Sequence, residues 1–140
     1  MTSPKVNVLI ILDTSALIYP FQTGVDFVRG IQEALAARFT LAVAEGTLDE
    51  LERLRREGSP SMSIAAGKAL EFAKGLSVLR SDARETDEQI AQLARHTGAA
   101  VATADSALRR RLRRSGIPVI FVSRGKRIRI EGSFPPGSVV

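Results

Sequence analysis

The sequence predicts an α/β fold, a three-layer α/β/α sandwich around a parallel sheet. Three observations carry that expectation. Short apolar runs alternate with amphipathic segments of helical period along the chain. The first run, residues 6–12 (VNVLIIL), is continuously apolar, as suits a strand buried on both faces of a parallel sheet. The 140 residues are 44% hydrophobic and 25% charged, ordinary values for one globular domain.

Each element follows from its residues. Asp13, Thr14 and Ser15 come directly after the first strand, and Pro20 and Gly24 shape a loop after one helical turn. Residues 25–38 read as a helix with Val28, Ile31 and Leu35 inward, followed by a short strand at 41–43. Thr47-Leu48-Asp49-Glu50 has the form of a capping box, opening a helix that runs to Gly58. Met62, Ala65, Ala66, Ala69, Leu70 and Ala73 recur at helical spacing, facing either the core or a second copy of the chain in a homodimer. Residues 76–79 form a strand. Thr86-Asp87-Glu88-Gln89 repeats the capping-box pattern, with Ile90, Leu93 and Ala94 inward. A strand at 99–102, a helix at 106–114 carrying Leu108 and Leu112, and a strand at 119–122 complete the core. Residues 124–130 add a basic edge strand. One domain over 1–130 and a mobile tail over 131–140 are expected.

Composition excludes several chemistries. There is no Cys, so disulfide scaffolds, thiolate zinc and cysteine nucleophiles are out, and a single His, His96, rules out multi-histidine metal sites. His96 sits late in its helix, where a cation suits the dipole, and reads as structural. The apolar run 8–12 is too short for a signal or a membrane span, so a soluble, cytoplasmic protein without membrane contact is expected. The formal net charge is +5, and residues 106–140 hold nine basic residues against Glu131 alone, a net of +8. Such a basic end suggests a polyanion partner, nucleic acid first.

In an open parallel sheet, ligands bind at the carboxyl ends of the strands. Asp13 ends the first strand, Glu50 lies in the first turn of the helix after the second, Asp105 follows the strand at 99–102, and Asp87 begins the preceding helix. Parallel topology brings all four to one edge. Three have ordinary structural readings: Glu50 as capping-box partner, Asp87 as a first-turn acid and Asp105 as an N-cap. Asp13 has none. Two carboxylates about 5 Å apart repel by roughly 3 kcal/mol at an effective dielectric of about 20, so four together call for protonation or cations. An all-oxygen set points to Mg²⁺ or Mn²⁺.

These residues resemble the PIN-domain ribonucleases. The matching segments are LDTSAL with Asp13, LDELERL with Glu50, TDEQIAQLA with Asp87, and AVATADSALRRRLRRSGIPVIFV with Thr103 and Asp105. The last segment is most similar to the rRNA-processing branch shared by archaea and eukaryotes; VapC-type toxins share the core. The resemblance implies a five-stranded parallel sheet of order 3-2-1-4-5 and metal-dependent cleavage of single-stranded or looped RNA. It implies that Asp13, Glu50, Asp87 and Asp105 hold one or two Mg²⁺ or Mn²⁺ ions, while Ser15 and Thr103 orient ligands or water. Glu88 is an alternative to Asp87, and Glu45 is a nearby acid outside the set. An antitoxin or a ribosome-assembly factor would be the protein partner. Arg109, Arg110 and Arg113, flanking the core face of their helix, and Lys126 and Arg127 are the expected RNA contacts, with Arg111 and Arg114 facing water. With one Tyr and no Trp, recognition should rest on charge and shape.

Other readings stand beside this one. A phosphotransferase with Asp13 as nucleophile would want a second acid two residues on, where Ser15 stands, and a receiver domain would want a late strand-end Lys. A catalytically inactive PIN domain that only binds RNA or protein is opposed by the complete acidic set.

Overall fold

The computed structural model describes residues 7–123 and 126–140. Six strands form one sheet in the order β3-β2-β1-β4-β5-β6. They are β1 (Asn7–Leu12), β2 (Arg38–Ala44), β3 (Ser77–Leu79), β4 (Ala100–Thr103), β5 (Val119–Val122) and β6 (Ile128–Glu131). The first five are parallel in the expected order, and β6 pairs antiparallel with β5. The basic edge strand anticipated at 124–130 is β6, starting at Ile128; Arg124 and Gly125, like Val6, lie outside the described residues.

Among the described residues six helices cover the sheet: α1 (Thr14–Thr23), α2 (Phe27–Ala34), α3 (Glu45–Glu57), α4 (Pro60–Ala73), α5 (Thr86–Thr97) and α6 (Ser106–Arg114). Alternation along β1 decides the layers. Val8, Ile10 and Leu12 point into a cluster with α1 to α4, and Ile11 points into a second cluster with α5 and α6. Ala65, Ala66, Ala69 and Ala73 are buried in the core, so the small-residue face of α4 is not a surface for a second copy.

Four local expectations need correction. The stretch after Asp13 is a helix, α1, not a loop, and it runs through Pro20. Proline removes one N–H and normally disfavours a helix interior, but Ala16, Leu17 and Ile18 bury against the sheet. The helix expected at 25–38 is only Phe27–Ala34, with Asp26 capping its start. It ends early because Leu35 bridges to Val139 and Ala36 N donates to Ser138 O at 2.8 Å. The chain end is therefore seated, with Ser138 buried, where a mobile tail was expected. Neither capping box forms: α3 starts at Glu45 and α5 at Thr86, with no side-chain cap on either. Glu50 thus sits past the first turn.

Candidate active site

The register places the site. Leu12 pairs with Ala102, so the next residues of the two strands, Asp13 and Thr103, emerge side by side at the carboxyl edge. Asp13 also has the structural role that the sequence reading denied it: it is the N-cap of α1, its Oδ1 accepting from Ala16 N at 2.8 Å.

Two hydroxyls hold this carboxylate. Thr103 Oγ1 donates to Asp13 Oδ2 and accepts from Asp105 N at 3.0 Å. Ser15 Oγ donates to the same carboxylate at 2.8–2.9 Å and accepts from Ala104 N at 2.9 Å. Each hydroxyl takes an amide hydrogen from the loop after β4 and gives its own to Asp13, so the loop that carries Asp105 is fixed to Asp13. Asp105 Oδ1 caps α6, accepting from Ala107 N and Leu108 N at 2.8 and 3.2 Å. Its structural reading therefore holds alongside any chemical one.

Asp13, Glu50, Asp87 and Asp105 line one cleft of about 170 Å³, with Thr14, Ser15 and Thr86 on its wall and no Lys, Arg or His among the described lining residues. Burial pushes the Asp13 carboxyl up from 3.8 to about 6, against the lowering effect of its three hydrogen-bond donors, and Asp87 adds a small push. Asp87 is raised as well, first by partial burial and then by Asp105. Glu88 is a different case. It pairs with Arg95 at 3.3 Å and with Arg111, and it does not line the cleft. Glu45 pairs outside the cleft with Arg80 at 3.8 Å.

The donor chemistry fits a hard divalent cation: every ligating group is oxygen, and Thr14 Oγ1 is buried at the cleft without a hydrogen-bond partner. Among the described residues no three acidic or imidazole side chains close around one point. Mg²⁺ usually keeps several waters, so carboxylates spread this far would reach it partly through them.

The basic residues expected at the RNA differ in their surroundings. Arg109 stacks on Phe121, 4.2 Å from the ring centroid, and pairs with Glu131 at 3.5 Å. Arg113 donates to Ile117 O at 3.1 Å. Arg111, expected to face water, is held by Glu88. Arg110 is exposed, and Lys126 and Arg127 line a separate hollow beside α2. None of the five lines the acidic cleft.

A family model described as a PIN like domain matches residues 10–126, most of the chain and all four acids. The chain belongs to the PIN-like domain family. Ribonuclease VapC4 of Methanocaldococcus jannaschii is 32% identical over 126 residues, spanning 88% of this chain and 96% of its own. Ribonuclease VapC9 of Archaeoglobus fulgidus is 27% identical over 121 residues, with 86% and 87% covered. Among solved structures, the PIN domain endonuclease Utp24 superposes with a TM-score of 0.69 at 27% identity, covering 89% of this chain and 92% of that one. In this PIN-like domain the four acids named from the sequence line one cleft, and Ser15 and Thr103 both hydrogen-bond to Asp13. The sequence pattern missed Thr14, Thr86 and Gln89. Gln89 was legible only as a capping-box member, a role it does not take.

Proposed function

We propose that this chain is a metal-dependent endoribonuclease that hydrolyses phosphodiester bonds in single-stranded or looped RNA. The observation that carries this reading is the cleft itself. Four carboxylates from separate segments face one small space, and no cationic side chain is among its described lining residues. The likeness to the two VapC ribonucleases and to the endonuclease Utp24 supports it.

Asp13, Glu50, Asp87 and Asp105 would hold Mg²⁺ or Mn²⁺. Bound there, the ion supplies a water acidified toward neutrality and a Lewis acid for the phosphoryl oxygens. Ser15 and Thr103 keep the Asp13 carboxylate in one orientation and tie it to the loop of Asp105. The four acids repel RNA until their charge is offset, which couples substrate binding to cation binding. The partner is RNA; the likeness to VapC ribonucleases supports a toxin held by an antitoxin, and the resemblance of residues 100–122 to the rRNA-processing branch supports an rRNA-processing factor as the other setting. Expression in a host separates them: growth arrest that disappears with the Asp105→Asn variant marks the toxin.

A gel cleavage assay with Mn²⁺, Mg²⁺ or EDTA tests the activity. Asp105→Asn keeps Oδ1 for the cap of α6 and removes one charge, so cleavage should fall by several orders of magnitude while RNA binding holds or tightens. If the variant cuts RNA as fast as the parent in Mn²⁺, the assignment of these carboxylates is wrong; if the parent binds RNA without cutting it in either metal, the chain is a binding module.

A further inference from the structure

A second hollow, of about 310 Å³, adjoins the acidic cleft and shares Glu50 and Thr86 with it. Its walls carry Arg53 from α3 and Arg84 from the loop before α5. Both side chains are exposed, and among the described residues neither makes an ion pair or a hydrogen bond. That sets them apart from three arginines of α6. Arg111 is committed to Glu88, Arg109 to Glu131 and Phe121, and Arg113 to the Ile117 carbonyl. Asp49 also lines the hollow, so it is close to neutral where the cleft beside it is strongly negative.

Gln89 builds the floor of this hollow. Its Oε1 accepts from Gly46 N at 2.9 Å and its Nε2 donates to Ala83 O at 2.9 Å. One side chain thus ties the start of α3, the helix of Arg53 and Glu50, to the residue beside Arg84. Arg53 and Arg84 line one groove that shares Glu50 and Thr86 with the acidic cleft.

We propose that Arg53 and Arg84 are positioning residues that bind RNA phosphates next to the scissile one, so that the strand enters the cleft from the α3–α5 side. This rests on the nuclease reading above. A phosphodiester chain cannot lie against four carboxylates by itself, and guanidiniums bind phosphates in a fixed bidentate geometry. The occupant is a single strand: the groove is open, polar and without aromatic rings, so it holds the backbone and does not read bases.

The test uses the parent chain and the variants Arg53→Gln, Arg84→Gln, the double variant and the double Lys variant. Each is titrated in Mn²⁺ with a labelled single-stranded oligoribonucleotide across a salt series, with Asp105→Asn added to block cleavage, and assayed for cleavage in Mn²⁺ without it. Each single Gln change should weaken binding severalfold. The double change should reduce the salt slope by roughly 1.4, about 0.7 for each lost phosphate contact. KM should rise with kcat nearly unchanged, and the Lys variant should recover part of the affinity. Both side chains are exposed, so thermal melts should match the parent. A parent that binds and cuts RNA beside a double variant of equal affinity and slope overturns the proposal. A parent that neither binds nor cuts overturns the nuclease reading itself, and the groove's role with it.

Discussion

Gln89 Oε1 accepts the amide hydrogen of Gly46 at 2.9 Å, joining the first turns of α3 and α5 across 43 positions of sequence. A Cβ at position 46 would stand 2.6 Å from that same oxygen and 2.9 Å from Thr86 Oγ1. Gly46→Ala must therefore push α5 away from α3 or break the bond. The expected outcome is a loss of about 1–3 kcal/mol, typical of an overpacked site, with weaker RNA binding because Arg84 and Glu50 separate. Urea denaturation read beside the RNA titration checks both; an unchanged midpoint would remove the clamp from the account.

Thr103→Val keeps the shape of a fully buried side chain and deletes its hydroxyl. Asp13 Oδ2 then loses a donor and Asp105 N loses its acceptor. Leaving such buried partners unmade costs about 1–3 kcal/mol. Cleavage should fall further than stability implies, because the loop bearing Asp105 is no longer tied to Asp13. Denaturation and cleavage measured on the same preparation decide it, and loss of stability with undiminished cleavage counts against an orienting role.

The part of this site that was legible in the sequence is the part set by strand register. An apolar run ending in Asp13, and a second ending in Thr103, must meet at one edge when the strands are parallel neighbours. The helix starts were not legible, because Ala44 leads straight from β2 into α3, and the Thr-x-x-Glu and Thr-x-x-Gln patterns lie inside the helices. α1 was hidden by Pro20, whose penalty is outweighed by burial of Ala16 and Leu17. The role of Arg53 and Arg84 was invisible for another reason. Their neighbourhood depends on Gln89 reaching a different helix, a contact that no local pattern encodes.

Arg109 carries a prediction opposite to the one its charge suggests. It lies over Phe121 and against Glu131, binding α6 to the β5–β6 edge. Arg109→Ala should lower stability by about 1 kcal/mol, the sum of a partly exposed cation–π contact and a discounted surface ion pair. RNA affinity and its salt slope should stay near those of the parent. A slope reduced by a full phosphate contact in filter binding would return Arg109 to the RNA interface.

The acidic cleft makes stability depend on pH in a definite direction. Burial raises Asp13 from 3.8 to about 6, so the folded chain binds that proton more tightly than the unfolded chain. Its contribution is fully present below about pH 4 and is lost as pH rises through about 6, roughly 3 kcal/mol in all. Asp87, also raised, adds in the same sense, whereas Glu52, lowered chiefly by its hydrogen bond to Arg55, acts oppositely on the exposed face of α3. Asp13→Asn removes the ionisation, so its stability should vary less with pH and fall less between pH 4 and 7 than the parent's. A bound Mn²⁺ needs the ionised carboxylate, so it should restore what deprotonation removes: a ligand at 100 times its Kd adds about 2.7 kcal/mol. That gain should shrink below pH 6 as protons compete for Asp13. Urea denaturation of parent and Asp13→Asn from pH 4 to 8, in EDTA and in Mn²⁺, separates these effects. Parallel pH profiles for the two proteins in EDTA would show that Asp13 is not the buried, reluctant carboxylate described above, and equal midpoints with and without Mn²⁺ would argue that the cleft holds no cation.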